Sequence, residues 1–497
     1  MSPPQLSKSI QCIRCVRIPG RSPNNSTWDV SISSGGNITA ITPHSDDPHA
    51  SSSSSPLLLP SLTHPHIHLD KAFIHNSPNY SHLHPKTGTF PEALSQTAQA
   101  KASFHLDRAD LLRRGEWLLA ESLAAGVTSM RAFVEVDSTV GTTCLQVGLD
   151  LKRRWAETCN LQIVCFAQDP LFSHAASSLP QYSANGGNEN LVLIEQVLST
   201  ASLVEGIDVL GTTPYVEDCY DSAKRNVEWA FRTAMEKGLH LDFHLDYNLD
   251  PARAAMVWDV LSAMEKAGWK HTTPQEEKKV MLGHCTRLTL FRDREWERLT
   301  STIHRAHLPV SFVGLPTSDI YMASPPSDNN NNDAQPGLKQ RGTIHVPDMI
   351  RSYDLDSVIG VNNVGNAFTP WGSPDPLLLA CLGVGLYQVG SQEGAELLYE
   401  CVSTRARAAI GMDKSPGYPS SSLALKEGDS ANFILVYNVD ETGSGLPRSR
   451  NSSIAESVWS PPSISSRDVI TTGRLVVKPM AAERAEASPE TSFVYAK

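Results

Sequence analysis

Short apolar segments recur eight times between residues 57 and 361, near 57–63, 127–135, 161–167, 207–213, 239–244, 279–284, 308–314 and 356–361. Runs of this length without strict apolar/polar alternation suit strands buried on both faces, as parallel strands covered by helices are. Most of them are separated by helical patterns. The stretch "RADLLRRGEWLLAESLAAG" (108–126), for example, carries apolar residues at i, i+3 and i+4 and closes on Gly126, where a C-cap glycine belongs. Eight such units within residues 57–411 predict an α/β chain folded as a (β/α)8 TIM-type barrel.

The pattern differs at both ends. Residues 8–42 read as short strands, with a polar turn around Pro23 to Ser26 and Gly35-Gly36-Asn37 as a hairpin turn. Beyond residue 411 the stretches "SSLALKEGDSANFILVYN" and "RDVITTGRLVVKP" alternate apolar and polar positions. The two ends are therefore expected to form one small β-sandwich: residues 1–56 its N-terminal part, 57–411 the barrel, and 412–497 its C-terminal part with a polar tail. The polar stretches 44–56, 324–342 and 483–494 read as surface segments with little order of their own.

Composition narrows the function. Of 497 residues 40% are hydrophobic and 19% charged, enough for a large core, so a disordered or fibrous chain is excluded. The net charge of -11 comes with no concentrated basic patch, which argues against a nucleic-acid partner and for a small molecule. The N-terminus lacks the apolar core of a leader, and no stretch approaches the ~20 apolar residues of a membrane helix. A cytoplasmic protein with no membrane contact is expected. Nine cysteines, mostly within apolar runs, fit reduced thiols, and Cys12 and Cys15 lack the second pair that a zinc site needs.

Chemistry concentrates at the expected C-terminal ends of the strands, where TIM barrels place their active sites. "LPSLTHPHIHLDKAF" (59–73) holds His64, His66 and His68; "HLDFHLDYN" holds His244 and Asp246; "VMLGHCT" ends the sixth strand's run near His284; "VIGVNNVGN" holds Asn362 and Asn363. Residues i and i+2 of a strand project to one side, so His66 and His68 can grip one ion with His244 as a third imidazole. His284 is then left to face a substrate. A lone histidine at a strand end is usually structural; the joint placement on strands one, five and six carries the reading. His64, which precedes Pro65, is expected to support the turn.

"PHIHLDKAF", the histidines of strands five and six, and the flanking β segments together resemble the amidohydrolase superfamily of metallo-dependent hydrolases, in its cytosine deaminase-like branch. The likeness runs from about Trp28 to Val477 and takes in "NLQIVCFAQDP" and "RGTIHVPDMIRSYDLDSVIGVNN". It implies one divalent metal ion, zinc or iron, held by His66, His68 and His244, with Asn362 at the position of the family's strand-eight aspartate. It also implies that His284 orients the attacking water and that Gln168 binds the edge of a heterocyclic substrate. Binuclear relatives use a lysine after strand four, and "GIDVLGTTPYVED" contains none.

Two positions depart from the resemblance. Tyr247 stands where the deaminases carry a proton-shuttling glutamate, and Asn362, followed by Asn363, stands where they carry the aspartate. An amide coordinates through its oxygen but bears no charge and accepts no proton near neutral pH. The expectation is accordingly a hydrolase acting on a non-peptide C–N bond of a small, cyclic nitrogen compound. His284 and Tyr247 are its catalytic groups, and Gln168 and Asn363 contact substrate. The alternative is a catalytically altered or inactive binding protein on the same fold. Asp246 and Glu135 are further candidates for proton transfer, against strand-end capping or a barrel salt bridge. The family resemblance is compatible with a homo-oligomer.

Overall fold

The computed structural model describes residues 2–21, 26–44, 55–173, 189–269, 278–324, 341–412, 423–437, 453–476 and 492–496. Eight parallel strands follow one another around a barrel: Leu62–His68, Val127–Glu135, Asn160–Ala167, Val209–Thr212, His240–Leu245, Val280–His284, Val310–Gly314 and Ser357–Ile359. The ring closes just past the eighth strand. There the Asn362 amide donates to the His66 carbonyl (3.1 Å), and the His68 amide donates to the Asn362 carbonyl (2.8 Å). Asn160 apart, every residue of these strands is buried, which is why several of them, such as Asn160–Ala167 and Val310–Gly314, read as short apolar runs.

The barrel interior is filled in layers. Phe133, Val164, Phe166 and Val209 pack together beneath the site, and Met281, Val313 and Val358 lie against Ala406 and Ile410. Between strands two and five, Arg131 donates to Asp242 Oδ2 (3.0 Å), to Gln162 Oε1 (3.0 Å) and to the Ile410 carbonyl (3.1 Å). The helix Arg108–Ala125 starts with the Asp107 side chain accepting from the Asp110 amide and ends on Gly126. At Gly126 φ is +111°, and an added Cβ would lie 2.3 Å from Ile434 Cδ1, so only glycine fits both the turn and the approach of the neighbouring sheet.

The chain ends pair as expected, although into one hydrogen-bonded mixed sheet rather than two facing ones. Its strands are Ile10–Arg17, Thr27–Ile32, Ile38–Pro43, Leu57–Pro60, Phe433–Val436, Arg467–Thr471, Arg474–Leu475 and Ser492–Tyr495. Ile13, Val30, Leu58, Phe433 and Ile470 join in its own apolar cluster. Two expectations need correction. The run expected as one strand at 57–63 is two: Leu57–Pro60 pairs with Phe433–Val436 in this sheet, and the barrel begins at Leu62. Pro60 donates nothing to a ladder, so the chain changes sheet there. The polar tail expected over 483–494 contains an edge strand, Ser492–Tyr495, paired with Ile10–Arg17 through Phe493 and Val494.

Cys12 and Cys15 lie on the first strand of this sheet, and all nine cysteines are free thiols. Most of the surface stretches 44–56 and 324–342, the rest of the tail and most of the turn at Pro23 to Ser26 fall outside the described residues. No helix among the described residues is long and apolar enough to cross a membrane.

Candidate metal centre and pocket

His66 and His68 alternate on the first barrel strand and so point the same way, while His244 arrives from the fifth strand across the barrel. His66 Nε2 lies 3.2 Å and His68 Nε2 3.1 Å from His244 Nε2. All three rings are buried, and burial lowers the pKa of each below the ordinary histidine value, most strongly for His68 and His244. They are therefore neutral imidazoles with nitrogen lone pairs available at one point. The rings are held by aromatic packing: Phe133 lies 4.0 Å from His66 and Phe166 4.5 Å from His244, centroid to centroid.

Asn362, with φ at +67°, lies just past the eighth strand and borders the same cavity as His68. Its Nδ2 donates to Ser318 Oγ (2.8 Å), and Ser318 in turn pairs with Thr369 Oγ1 (2.6 Å). This leaves Oδ1, the atom that could ligate a cation, buried with no hydrogen-bond partner. Three convergent neutral imidazoles and an orphaned amide oxygen fit a divalent cation.

His284 ends the sixth strand, and its Nδ1 is 2.7 Å from Asp319 Oδ1. The other Asp319 oxygen accepts from the Leu315 amide (3.2 Å) and the Thr343 hydroxyl (2.7 Å). A carboxylate only accepts, so Nδ1 carries the proton and Nε2 presents its lone pair to the cavity. Sequence reasoning missed Asp319. Its only signal was one acidic residue in "LPTSDIYM", at the start of the short helix after strand seven.

Tyr247 packs against His284 with ring centroids 4.0 Å apart and planes tilted by 35°, and its hydroxyl donates to the Ser318 carbonyl (3.4 Å). Burial pushes its pKa well up, so it remains a phenol. Gln168 directly follows the third strand, and Asn363 follows Asn362; both border the same cavity. Asn363 Oδ1 accepts from Asn366 Nδ2 (2.8 Å).

Of the two further proton-transfer candidates, Glu135 is in a salt bridge and Asp246 in a cap. Lys71 and Lys101 hold Glu135 at 2.6 and 2.5 Å. Asp246 accepts from the Met256 (2.8 Å) and Val257 (3.0 Å) amides at the start of the helix Val257–Ala267. Buried His64 turns to Ser122 Oγ (3.2 Å), consistent with scaffold.

A cavity of about 520 Å³ opens above His68, His244, His284 and Asn362. Phe90, Tyr215, Tyr247 and Phe368 wall it with rings, Phe90 and Tyr247 being 5.8 Å and Tyr215 and Tyr247 6.0 Å apart. Such walls suit a flat ring compound.

No family model matches this sequence, and no curated protein matches it. Solved structures do. A 5-methylcytosine deaminase from Klebsiella pneumoniae liganded with phosphonocytosine aligns over 94% of this chain and 98% of its own, at 19% identity and a TM-score of 0.70. The N-isopropylammelide isopropylaminohydrolase of Burkholderia multivorans aligns over 94% and 98%, at 22% identity and a TM-score of 0.66. An adenosine deaminase from Xanthomonas campestris with bound zinc aligns over 93% and 92%, at 12% identity and a TM-score of 0.56.

Proposed function

We propose that this chain, which has the fold of amidohydrolase-superfamily deaminases and hydrolases, is a mononuclear metal-dependent hydrolase cleaving a non-peptide C–N bond in a small cyclic nitrogen compound. The observation that carries the reading is the convergence of the His66, His68 and His244 Nε2 atoms, three neutral donors within 4.8 Å of one another at the floor of an aromatic-walled cavity. Asn362 Oδ1 is the fourth donor. A divalent ion held by these groups, zinc or iron, would supply a Lewis acid that lowers the pKa of water toward neutrality.

The chain's own residues do the rest. Asp319 keeps the proton on His284 Nδ1, so Nε2 accepts a proton from the attacking water and returns it to the leaving nitrogen. The Tyr247 ring covers His284 and limits solvent access to it. Gln168 and Asn363 orient the substrate from the cavity wall. The two substitutions at Tyr247 and Asn362 favour a second reading, a binding protein on this fold. Against it, the His284–Asp319 pair supplies a proton acceptor of a kind that a binding site has no need of.

The test is a screen of aminated heterocycles and cyclic amides with metal-loaded protein, following release of ammonia or amine and opening of the ring. Turnover of one class, abolished by a chelator and restored by zinc or iron, is the expected result. Binding without turnover across the panel by metal-loaded protein would favour the second reading.

A further inference from the structure

We propose that Lys71 reads the substrate, and that the pocket takes a planar nitrogen heterocycle by an edge of oxo or anionic oxygen atoms; this rests on the hydrolytic reading above. Lys71 follows the His-x-His pair by three residues, and its side chain, 2% exposed, borders the cavity. An ammonium has three N–H donors. Hydrogen bonds to Glu135 Oε1 (2.6 Å) and Gln168 Oε1 (3.4 Å) occupy two of them. Glu135 has a second cation in Lys101, 2.5 Å from its other oxygen, a cation it shares with Asp137 (2.8 Å) and Asp169 (3.1 Å). The Phe166 and Phe368 rings flank the ammonium at 5.8 Å.

Lys71 also sets what Gln168 shows. With Oε1 turned to the ammonium, the Gln168 amide turns its N–H side away from Lys71; one N–H is in reach of the Tyr215 phenol oxygen, and the second is left for a ligand. Two neighbouring groups then both offer donors, and an amino-bearing edge would set N–H against N–H and leave buried donors unpaired. The charge of the site agrees. An amide at position 362 leaves the metal centre one unit more positive than a carboxylate there would. Among the described residues that line the cavity, the sole acidic one is Asp250, which has Arg253 beside it at 3.8 Å.

Cyanurate and melamine test this, because they share one triazine ring and differ in bearing three oxo or three amino groups. Binding to metal-loaded protein is measured by calorimetry at a pH where cyanuric acid is the monoanion, for the wild type, Lys71→Met and Lys71→Gln. The wild type is expected to bind cyanurate about tenfold or more tightly than melamine. Each variant should lose about tenfold in cyanurate affinity and keep its melamine affinity. Equal binding of the two by the wild type, or no binding of cyanurate, overturns the proposal, as does a folded variant that keeps the wild-type ranking. The wild-type ranking needs no variant and decides the matter even if both fail to fold. Elemental analysis of the same samples separates this from failure of the hydrolytic reading, which shows as absent metal.

Discussion

His284→Ala lowers turnover by about 10²- to 10⁴-fold while fold and metal content stay as in the wild type. The size follows from what surrounds the reaction centre. The positions at which the deaminase-like pattern places carboxylates hold Tyr247, a phenol whose proton goes to the Ser318 carbonyl, and Asn362, an amide. His284 Nε2 is thus a cavity-lining proton acceptor beside the three convergent imidazoles, its ring 5.3 Å from that of His244. Asp319→Asn, which keeps the shape and loses the acceptor charge, lowers turnover less, by about ten- to a hundredfold. Kinetics with any substrate from the screen, beside metal analysis of each variant, checks both. His284→Ala protein with wild-type turnover would remove His284 from the mechanism, and His284→Ala protein without metal would make it a ligand.

Arg467→Met destabilises the protein by about 3 to 5 kcal/mol. Arg467 is buried and forks onto Asp375, Nη1 to Oδ1 at 3.1 Å and Nη2 to Oδ2 at 2.8 Å. It also donates to the carbonyls of Ala125 (2.9 Å) and Pro462 (2.7 and 3.1 Å). One guanidinium therefore ties a strand of the mixed sheet to the end of the helix Arg108–Ala125 and to Asp375, which caps the helix Pro376–Leu386. Removing it leaves a buried carboxylate without its cation and orphans several carbonyls, whereas the apolar volume lost is small. The urea denaturation midpoint reads the effect. A shift worth less than about 1 kcal/mol would place Arg467 among the many ion pairs that contribute little.

The barrel was legible because a parallel strand buried on both faces leaves a largely apolar run, as Asn160–Ala167 and Val310–Gly314 do, and because such runs recur between helical patterns. The switch of sheets at Pro60 was not, since only Ser61 separates Leu57–Pro60 from Leu62–His68, and the two strands find different partners only in three dimensions. The same contrast divides the site. His66 and His68 declare themselves by spacing, and His244 and His284 by falling at strand ends. Asp319 and Lys71 do not, because each depends on a partner far along the chain. Asp319 meets His284 across 35 residues, and Lys71 meets Gln168 across 97. A single Asp at a helix start or a single Lys after a strand otherwise reads as solvent-facing charge. Glu135 and Asp246 drew notice by position, but their hydrogen bonds place them in the framework.

The convergence of His66, His68 and His244 is most directly tested by the metal content per chain of purified protein, wild type beside the His66→Ala/His68→Ala variant, read by mass spectrometry. One zinc or iron per wild-type chain, absent from the folded double variant, is the result the geometry predicts. Wild-type protein that holds no metal after reconstitution with zinc, iron or manganese, or a double variant that keeps its ion, would contradict it.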